Sequence, residues 1–452
     1  MTSLLPQGKQ INLQLGWPSP SLFPSESLNA GADAVLRDFD RATAALVYGP
    51  NRGNAPLRQQ VARWLGSTYH KDAHAIDEAR VCIAAGASQN LVNCLIRFTD
   101  PTYTRRIWMV EPTYFLACPV FEDCGFAGKL RGVPEDDEGI DLDFLQSALA
   151  ETEAEVAARG GLDEPELNGK TMSLQHRYDL VRLAIKYDAL VISDDVYDFL
   201  YWPEERGQTL DPTARALPPR LVDINHEIDP QSKWGNTMSN GSFSKIVAPG
   251  VRTSWAEGTP AFATWLANTG ATTSGGNPCH FMSTCIENML ATGALEKHIR
   301  DTLISTYSLR YYAMVDAVKE HLEPLGVCIT SGKPYVTSQF NAASASGQSD
   351  NKACGGTRIA GGFFLLLTLP ENLPSATTLA KVAMDQCDLK FAHGKMFEVK
   401  GDPGSKQRSD ATFGRTIRLC WAFHEAGVIV EGIKTYEDAT FRELAGLKAV
   451  VS

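Results

Sequence analysis

Residues 178–195, "YDLVRLAIKYDALVISDD", change period midway, and that change decides the architecture. Leu180, Leu183, Ala184 and Tyr187 recur at the three- and four-residue spacing of an amphipathic helix. "ALVI", 189–192, is then a continuous apolar run, the pattern of a strand covered on both faces in a parallel sheet. Asp194 and Asp195 therefore fall at the carboxyl end of a strand, the edge at which open α/β sheets bind ligands.

Working outward, "RVCIAAGASQN" (80–90) and "RIWMVEPTY" (106–114) repeat the pattern: a short apolar strand, then small or polar residues. The alternation predicts an α/β domain on a mostly parallel sheet. The Pro- and Ser-rich start, with "GWPSPSLFPSESLNAG" (16–31), reads as an extended arm. The amphipathic stretch 296–322 bridges to an α+β region holding "GGFFLLLTLP" (361–370) and "RTIRLCWAF" (415–423). The expected division is an arm, 1–45, packed with the small domain, a large domain, 46–310, and a small domain, 311–452. The polar stretch 332–356 is the longest expected loop.

A chain of 452 residues exceeds one simple core, and 44% hydrophobic with 21% charged residues is an ordinary globular composition. The formal net charge of -11 argues against nucleic acid or an anionic membrane as the main partner. The ten cysteines form no Cys-x-x-Cys pair, and no His stands at metal-finger spacing, so they read as buried free thiols and no metal is expected. With no secretory pattern at the N-terminus and no spanning run, a cytoplasmic location is the expectation.

"SNGSFSKIVAPGVRTSW" (239–255) places Lys245 among serines just before a Pro-Gly turn. Such a lysine is either ordinary punctuation between strand and helix or an amine that forms a Schiff base with a carbonyl, as in pyridoxal phosphate enzymes. The second reading demands a phosphate cradle, an acid for a pyridine nitrogen, a stacking aromatic and a carboxylate-binding arginine. Gly86, Ala87 and Ser88 lie between a strand and a helix, either a plain Gly-containing turn or a place where free amides and the helix dipole can receive a phosphate; Ser242, Ser244 and Arg252 could add donors. Asp194 is the strand-end acid, with Asp195 the adjacent alternative, and Tyr197 follows. Tyr114 is placed to stack, and Arg418 sits in an apolar run, where either a substrate carboxylate or an internal Asp or Glu would pair with it.

With these segments in hand, the chain resembles a class I/II aminotransferase of the fold type I pyridoxal phosphate-dependent family, of the branch with aminoadipate and aromatic aminotransferases. The matching segments run in family order across nearly the whole chain: "INLQLGWPSPSLFP", "YGPNRGNAPLRQQVARWL", "GASQNL", "EPTYF", "SDDVYDFL", "GSFSKIVAPGVR", "TSGGNP", "GGFFLLL" and "IRLCWAF".

The resemblance implies a large domain with a mostly parallel seven-stranded sheet flanked by helices, plus a smaller α+β domain. It implies that Lys245 forms the Schiff base with pyridoxal 5'-phosphate, Asp194 pairs with the ring nitrogen, and Tyr197 and Asn168 meet the ring oxygen. Gly86, Ala87, Ser88, Ser242, Ser244 and Arg252 would hold the phosphate, Tyr114 would stack, and Arg418 would take the substrate carboxylate. Gly16 and Trp17 would lie over the substrate. Tyr48 would reach the phosphate of a neighbouring subunit, so a homodimer with shared sites is implied.

Two departures stand out. "GLDEPELNGKTMS" (161–173) holds Asn168 without the family's Asn-Pro-Thr/Ser-Gly, and Arg252 is followed by Thr253 and Ser254 where the family has a hydrophobic residue and Gly. The expected activity is amino-group transfer between an amino acid and a 2-oxo acid, with elimination, replacement or cyclisation of an amino acid on the same fold as the alternative.

Overall fold

A computed structural model describes residues 10–157, 172–210, 217–330 and 357–451. Asn168 and the polar stretch 332–356 lie outside them. The deciding stretch folds as its periodicity dictates. Ser173 caps helix Leu174–Lys186 by accepting the His176 amide, and Leu180, Val181, Leu183 and Ala184 are its buried face. Tyr187 ends the helix, Asp188 turns the chain at φ 50°, and strand Val191–Ser193 follows.

That strand pairs in parallel with Thr237–Ser242, which pairs antiparallel with Ser254–Glu257, itself antiparallel to Val81–Ala84. Ile107–Val110 and Leu130–Val133 form a separate parallel pair. Where the resemblance implies seven strands in the large sheet, these are six, in ladders of four and two, and in the ladder of four Ser254–Glu257 runs antiparallel to both its neighbours. All four residues of Val81–Ala84 and all four of Ser254–Glu257 are buried. Each fully buried Val or Ile there contributes about 1.5–3 kcal/mol.

A second, antiparallel sheet has the order Cys328–Ile329, Phe364–Thr368, Thr416–Cys420, Ala392–His393. Beside it, Ile11–Asn12 pairs with Leu389–Lys390, the Leu13 carbonyl accepts the Cys420 amide at 2.7 Å, and His424 Nε2 accepts the Asn12 amide at 3.0 Å. Residues 11–13 of the arm are thus pinned to this sheet by hydrogen bonds, but the expected extended arm gives way further on to a helix, Ser25–Leu36, packed so closely on helix His280–Ala291 that a Cβ at Gly31 would come within 2.8 Å of the Cys285 carbonyl.

Helix Ser305–His321 buries Tyr307, Arg310, Tyr311, Met314, Ala317 and Val318 at helical spacing. The division expected at 310/311 falls inside this helix. One core runs beneath both sheets, joining Val81, Ile83 and Trp255 of the first to Leu365, Leu367, Ile417 and Leu419 of the second. Nine cysteines are free among the described residues. No helix among them is long and apolar enough to cross a membrane.

Candidate active site

The site lies at the carboxyl ends of Val191–Ser193 and Thr237–Ser242, beside the N-terminus of helix Ala87–Phe98. Strand Thr237–Ser242, "TMSNGS", is buried at every residue although four of its six side chains are polar. Each polar group must therefore find a partner, and strand alternation sends them to opposite faces. On one face, Thr237 bonds Asn225 and Ser239 donates to Asp195 Oδ2. On the other, Asn240 donates to Asp194 Oδ1 at 3.3 Å, and Ser242 Oγ accepts the Ser244 amide at 3.1 Å.

This alternation separates the two aspartates. Asp195 is turned away and held by Ser193 and Ser239 hydroxyls, on the side of buried Arg220, which pairs with Asp223 and Glu257. Asp194 faces the site. Burial, then the charge of Asp195, pushes its carboxyl up to about 7, against the opposing pull of Lys245.

Lys245 stands in the turn that follows the polar strand, its Nζ 5.6 Å from the Tyr197 ring centre and 5.5 Å from that of Phe363, donating to the Gly16 carbonyl at 2.6 Å. Burial lowers its pKa and the Arg418 charge adds to this, while Cys420 and Asp194 oppose it. The amine is moved toward its neutral, nucleophilic form. Tyr197 packs on Phe363 at 5.0 Å, and burial pushes its phenol far up, so it remains a proton donor. The Cys420 thiol, pushed up by burial to about 11, stays neutral beside them.

The turn into helix Ala87–Phe98 is built for close approach. Gly86 has φ 109°, and a Cβ there would strike the Arg252 guanidinium. Ala87 and Ser88 open the helix, whose first amides have no intrahelical acceptor. Arg252, at φ 44°, reaches across to donate to the Ala85 carbonyl at 3.1 Å, to the Pro249 carbonyl at 3.0 Å and to Ser244 Oγ at 3.4 Å. Gly86, Ala87, Ser88, Ser244 and Arg252 thus lie together, with Gly86 buried and the Ser88 and Arg252 side chains exposed.

Arg418, on Thr416–Cys420, points from the second sheet toward this group. Its guanidinium lies 4.0 Å from the Phe364 ring centre and 4.8 Å from that of Phe397. Among the described residues it has no carboxylate partner, and its buried Nε has no hydrogen bond. The internal Asp or Glu weighed from sequence is therefore not found among the described residues. Burial lowers its pKa, with Tyr197, Cys420 and Tyr114 opposing. Tyr114 is half-exposed, and its phenol is raised by burial and then by Asp194. Gly16 packs so closely under Phe364 that a Cβ would come within 2.6 Å of the ring, and Trp17 follows it, partly buried.

Tyr48, also an expected site residue, is 87% exposed and directed to solvent. The reading of the sequence missed Asn90, Asn240, Phe363 and Phe364. A buried strand as polar as "TMSNGS" was the signal available for Asn240.

A strand-end carboxylate facing a desolvated lysine, an anion-receiving helix turn crossed by an arginine and an unpaired buried-stem guanidinium fit pyridoxal phosphate and a carboxylate-bearing substrate. The comparisons agree. Residues 19–420 match the model of the family "Aminotransferase class I and II", and the chain belongs to that family. It is 31% identical to the uncharacterized protein YER152C of Saccharomyces cerevisiae, over 95% of this chain and 96% of that one. It is 27% identical to aromatic-amino-acid aminotransferase 1 of Thermococcus litoralis, over 96% and 88%. Among solved structures, the multiple substrate aminotransferase of Thermococcus profundus superposes with a TM-score of 0.72 at 24% identity, covering 97% and 93%.

The fold is that of the fold type I enzymes. The protein is a pyridoxal phosphate-dependent transferase that moves an amino group between an amino acid and a 2-oxo acid, and the elimination or replacement alternative gives way to transamination.

Proposed function

We propose that the residues gathered here divide the work of transamination as follows. The phosphate would be received by Gly86, Ala87, Ser88, Ser242, Ser244 and Arg252, the ring nitrogen by Asp194, the ring oxygen by Tyr197 and by Asn168, which lies outside the described residues, and the ring face by Tyr114. Pyridoxal phosphate supplies a carbonyl that condenses with amines and a ring that takes up the electron pair left by a departing proton. Lys245 would hold the group through its amine and would carry the substrate's α-proton. Arg418 holds the substrate carboxylate and so fixes which bond to the α-carbon faces the ring, while Gly16 and Trp17 cover the pocket.

The observation that carries this reading is the unpartnered Arg418 guanidinium beside Lys245, Asp194 and Tyr197. A charge-assisted bond of this kind is worth about 1.5–3 kcal/mol. Arg418→Ala is expected to raise KM for the amino acid roughly 10- to 150-fold, with cofactor binding kept, as measured by steady-state kinetics and cofactor titration. An unchanged KM would remove Arg418 from the substrate site.

We further propose an aromatic side chain on the amino donor. Tyr197, Phe363, Phe364 and Phe397 surround Lys245 and Arg418, and the Thermococcus litoralis relative is named for aromatic amino acids. An amino acid panel read by mass spectrometry of the released 2-oxo acids tests it. Phenylalanine, tyrosine or tryptophan should lead, and a clear preference for aspartate or glutamate would overturn it.

We also propose a homodimer. Leu36, Phe39, Leu46, Val47 and Tyr48 are 50–87% exposed on neighbouring turns, an apolar face suited to a second copy of the chain. Tyr48 would then reach the partner's phosphate. Lys245→Ala mixed with Tyr48→Ala should regain activity in heterodimers, up to about a quarter of wild type for random pairing with one intact site. A fully active monomer in sedimentation would end this proposal. The division into arm (1–45), large (46–310) and small (311–452) domains and a cytoplasmic location belong to the same reading, the latter supported by the free thiols.

A further inference from the structure

Three polar side chains behind the site touch neither its opening nor one another in sequence. Asn90 (0% exposed), Asn240 (4%) and Ser254 (0%) come from a helix and two strands. The Asn240 amino group donates to the Ala87 carbonyl at 3.2 Å and to Asp194 Oδ1 at 3.3 Å. Its carbonyl oxygen accepts from Asn90 Nδ2 at 3.1 Å, and Asn90 Nδ2 also donates to Ser254 Oγ at 3.1 Å. Ser254 Oγ in turn accepts the Gly86 amide at 3.0 Å and donates to the Ala84 carbonyl at 3.1 Å.

The amide orientation is fixed by chemistry. A backbone carbonyl can only accept, and so can an ionised carboxylate, so the Asn240 amino group must face Ala87 and Asp194, and its oxygen must face Asn90. The chain of bonds runs unbroken from the Gly86 turn to Asp194. Among the described residues only Asn90 Oδ1 in it lacks a partner.

We propose that Asn240 is a positioning residue for the transaminase reaction: with Asn90 and Ser254 it ties the phosphate-receiving Gly86 turn to the Asp194 carboxylate, fixing the distance between the two ends of the cofactor site. The inference rests on the roles given to Gly86 and Asp194 above. Three features support a positioning rather than a merely structural role. Asn240 is 4% exposed, so its polar groups have to be met by partners and not by water. Among the described residues, Asn240 is the one side chain hydrogen-bonded both to Asp194 and to the helix carrying the phosphate turn. One of its two donors points at the Asp194 carboxylate, the kind of hydrogen bond that favours the charged form a ring nitrogen needs.

Asn240→Leu keeps the branched four-atom skeleton and removes both donors. Asn240→Asp keeps shape and replaces the donors with acceptors facing Asp194. The expected results are a rise in the dissociation constant for pyridoxal phosphate of about tenfold for Asn240→Leu and more for Asn240→Asp, an altered visible absorption of the loaded protein, and a fall in kcat with KM for the amino acid little changed. Ser254→Ala, which frees only the Gly86 end, should weaken cofactor binding while leaving the pH dependence of the absorption as in wild type.

A double-mutant cycle separates the two levels of the argument. On an Asp194→Ala background, Asn240→Leu should add little to the loss of cofactor affinity. Full additivity, or wild-type affinity and absorption in Asn240→Leu, overturns the inference. If Asp194→Ala itself binds cofactor like wild type, it is the reading of the site that fails instead. Should Asn240→Leu fold poorly by circular dichroism, Asn240→Gln decides: restored affinity supports the donor role, and loss equal to that of Asn240→Asp counts against it.

Discussion

Lys245→Ala is expected to lower turnover by roughly 10⁴-fold or more, the loss that follows when a nucleophilic amine and a proton carrier are removed together. It should also remove the cofactor-derived visible absorption. No other lysine among the described residues has Asp194 and Arg418 both acting on its amine, so no neighbour can replace it. Borohydride reduction of the wild-type enzyme, followed by peptide mapping, should find the cofactor on the peptide containing Lys245. Labelling of another lysine would overturn the assignment of the whole site. Free methylamine offers a complementary check: it should restore a measurable rate to Lys245→Ala if the missing group is the proton-carrying amine.

The second large effect concerns the aspartate pair. Asp194→Ala should lower kcat by roughly 10³-fold, the scale set by removing one preorganised electrostatic partner from a reacting centre. Asp195→Ala should change kcat by less than about tenfold and act chiefly on stability, because its carboxylate is directed away and bound to Ser193 and Ser239. If the two phenotypes are exchanged, the assignment of faces is wrong.

The pH dependence follows with a definite sign. Burial and the Asp195 charge raise Asp194 to about 7, whereas in the unfolded chain it titrates near 4. Between these values the folded, cofactor-free protein holds a proton that the unfolded chain has lost. Stability from this group is therefore present below about pH 4 and falls as pH rises toward 7. Pairing with a protonated ring nitrogen needs the charged carboxylate, so cofactor affinity should move the other way and weaken as pH falls through about 7. Asp194→Asn should flatten both dependences, read by thermal melts of the cofactor-free protein and by cofactor titration at several pH values. Melting curves that keep their wild-type slope would assign the raised carboxyl elsewhere.

The aromatic content of the pocket has a consequence for its cation. Phe364 and Phe397 hold the Arg418 guanidinium on their faces, a contact worth about 0.5–2 kcal/mol. The arginine is thereby kept extended toward the site without a carboxylate competing for it. A carboxylate partner within the protein would have to be displaced by every substrate, whereas a ring face leaves the planar donor edge free.

Much of this was legible in the sequence because it depends on neighbours within four residues along the chain. The switch from helical to strand period across 178–195, the strand-end aspartates, Lys245 after its strand and Gly86 before its helix all follow from local spacing. The antiparallel direction of Ser254–Glu257 was not legible, since a side chain alternates faces alike in either direction.

Only the tertiary structure decided which aspartate faces the site. The answer lies in the register of Val191–Ser193 against Thr237–Ser242, and a slip of one residue would exchange the two. The same holds for Asn90, Asn240 and Ser254, of which Asn90 lies 150 residues from Asn240 and 164 from Ser254. A single asparagine carries no mark of the partner it will meet. Hydrogen bonds are short-ranged and directional, so they are assigned by the packing that brings segments together, whereas hydrophobic periodicity is written into each segment alone. The chain determined its strands, its helices and the chemistry at their ends; packing determined which of those ends share one pocket.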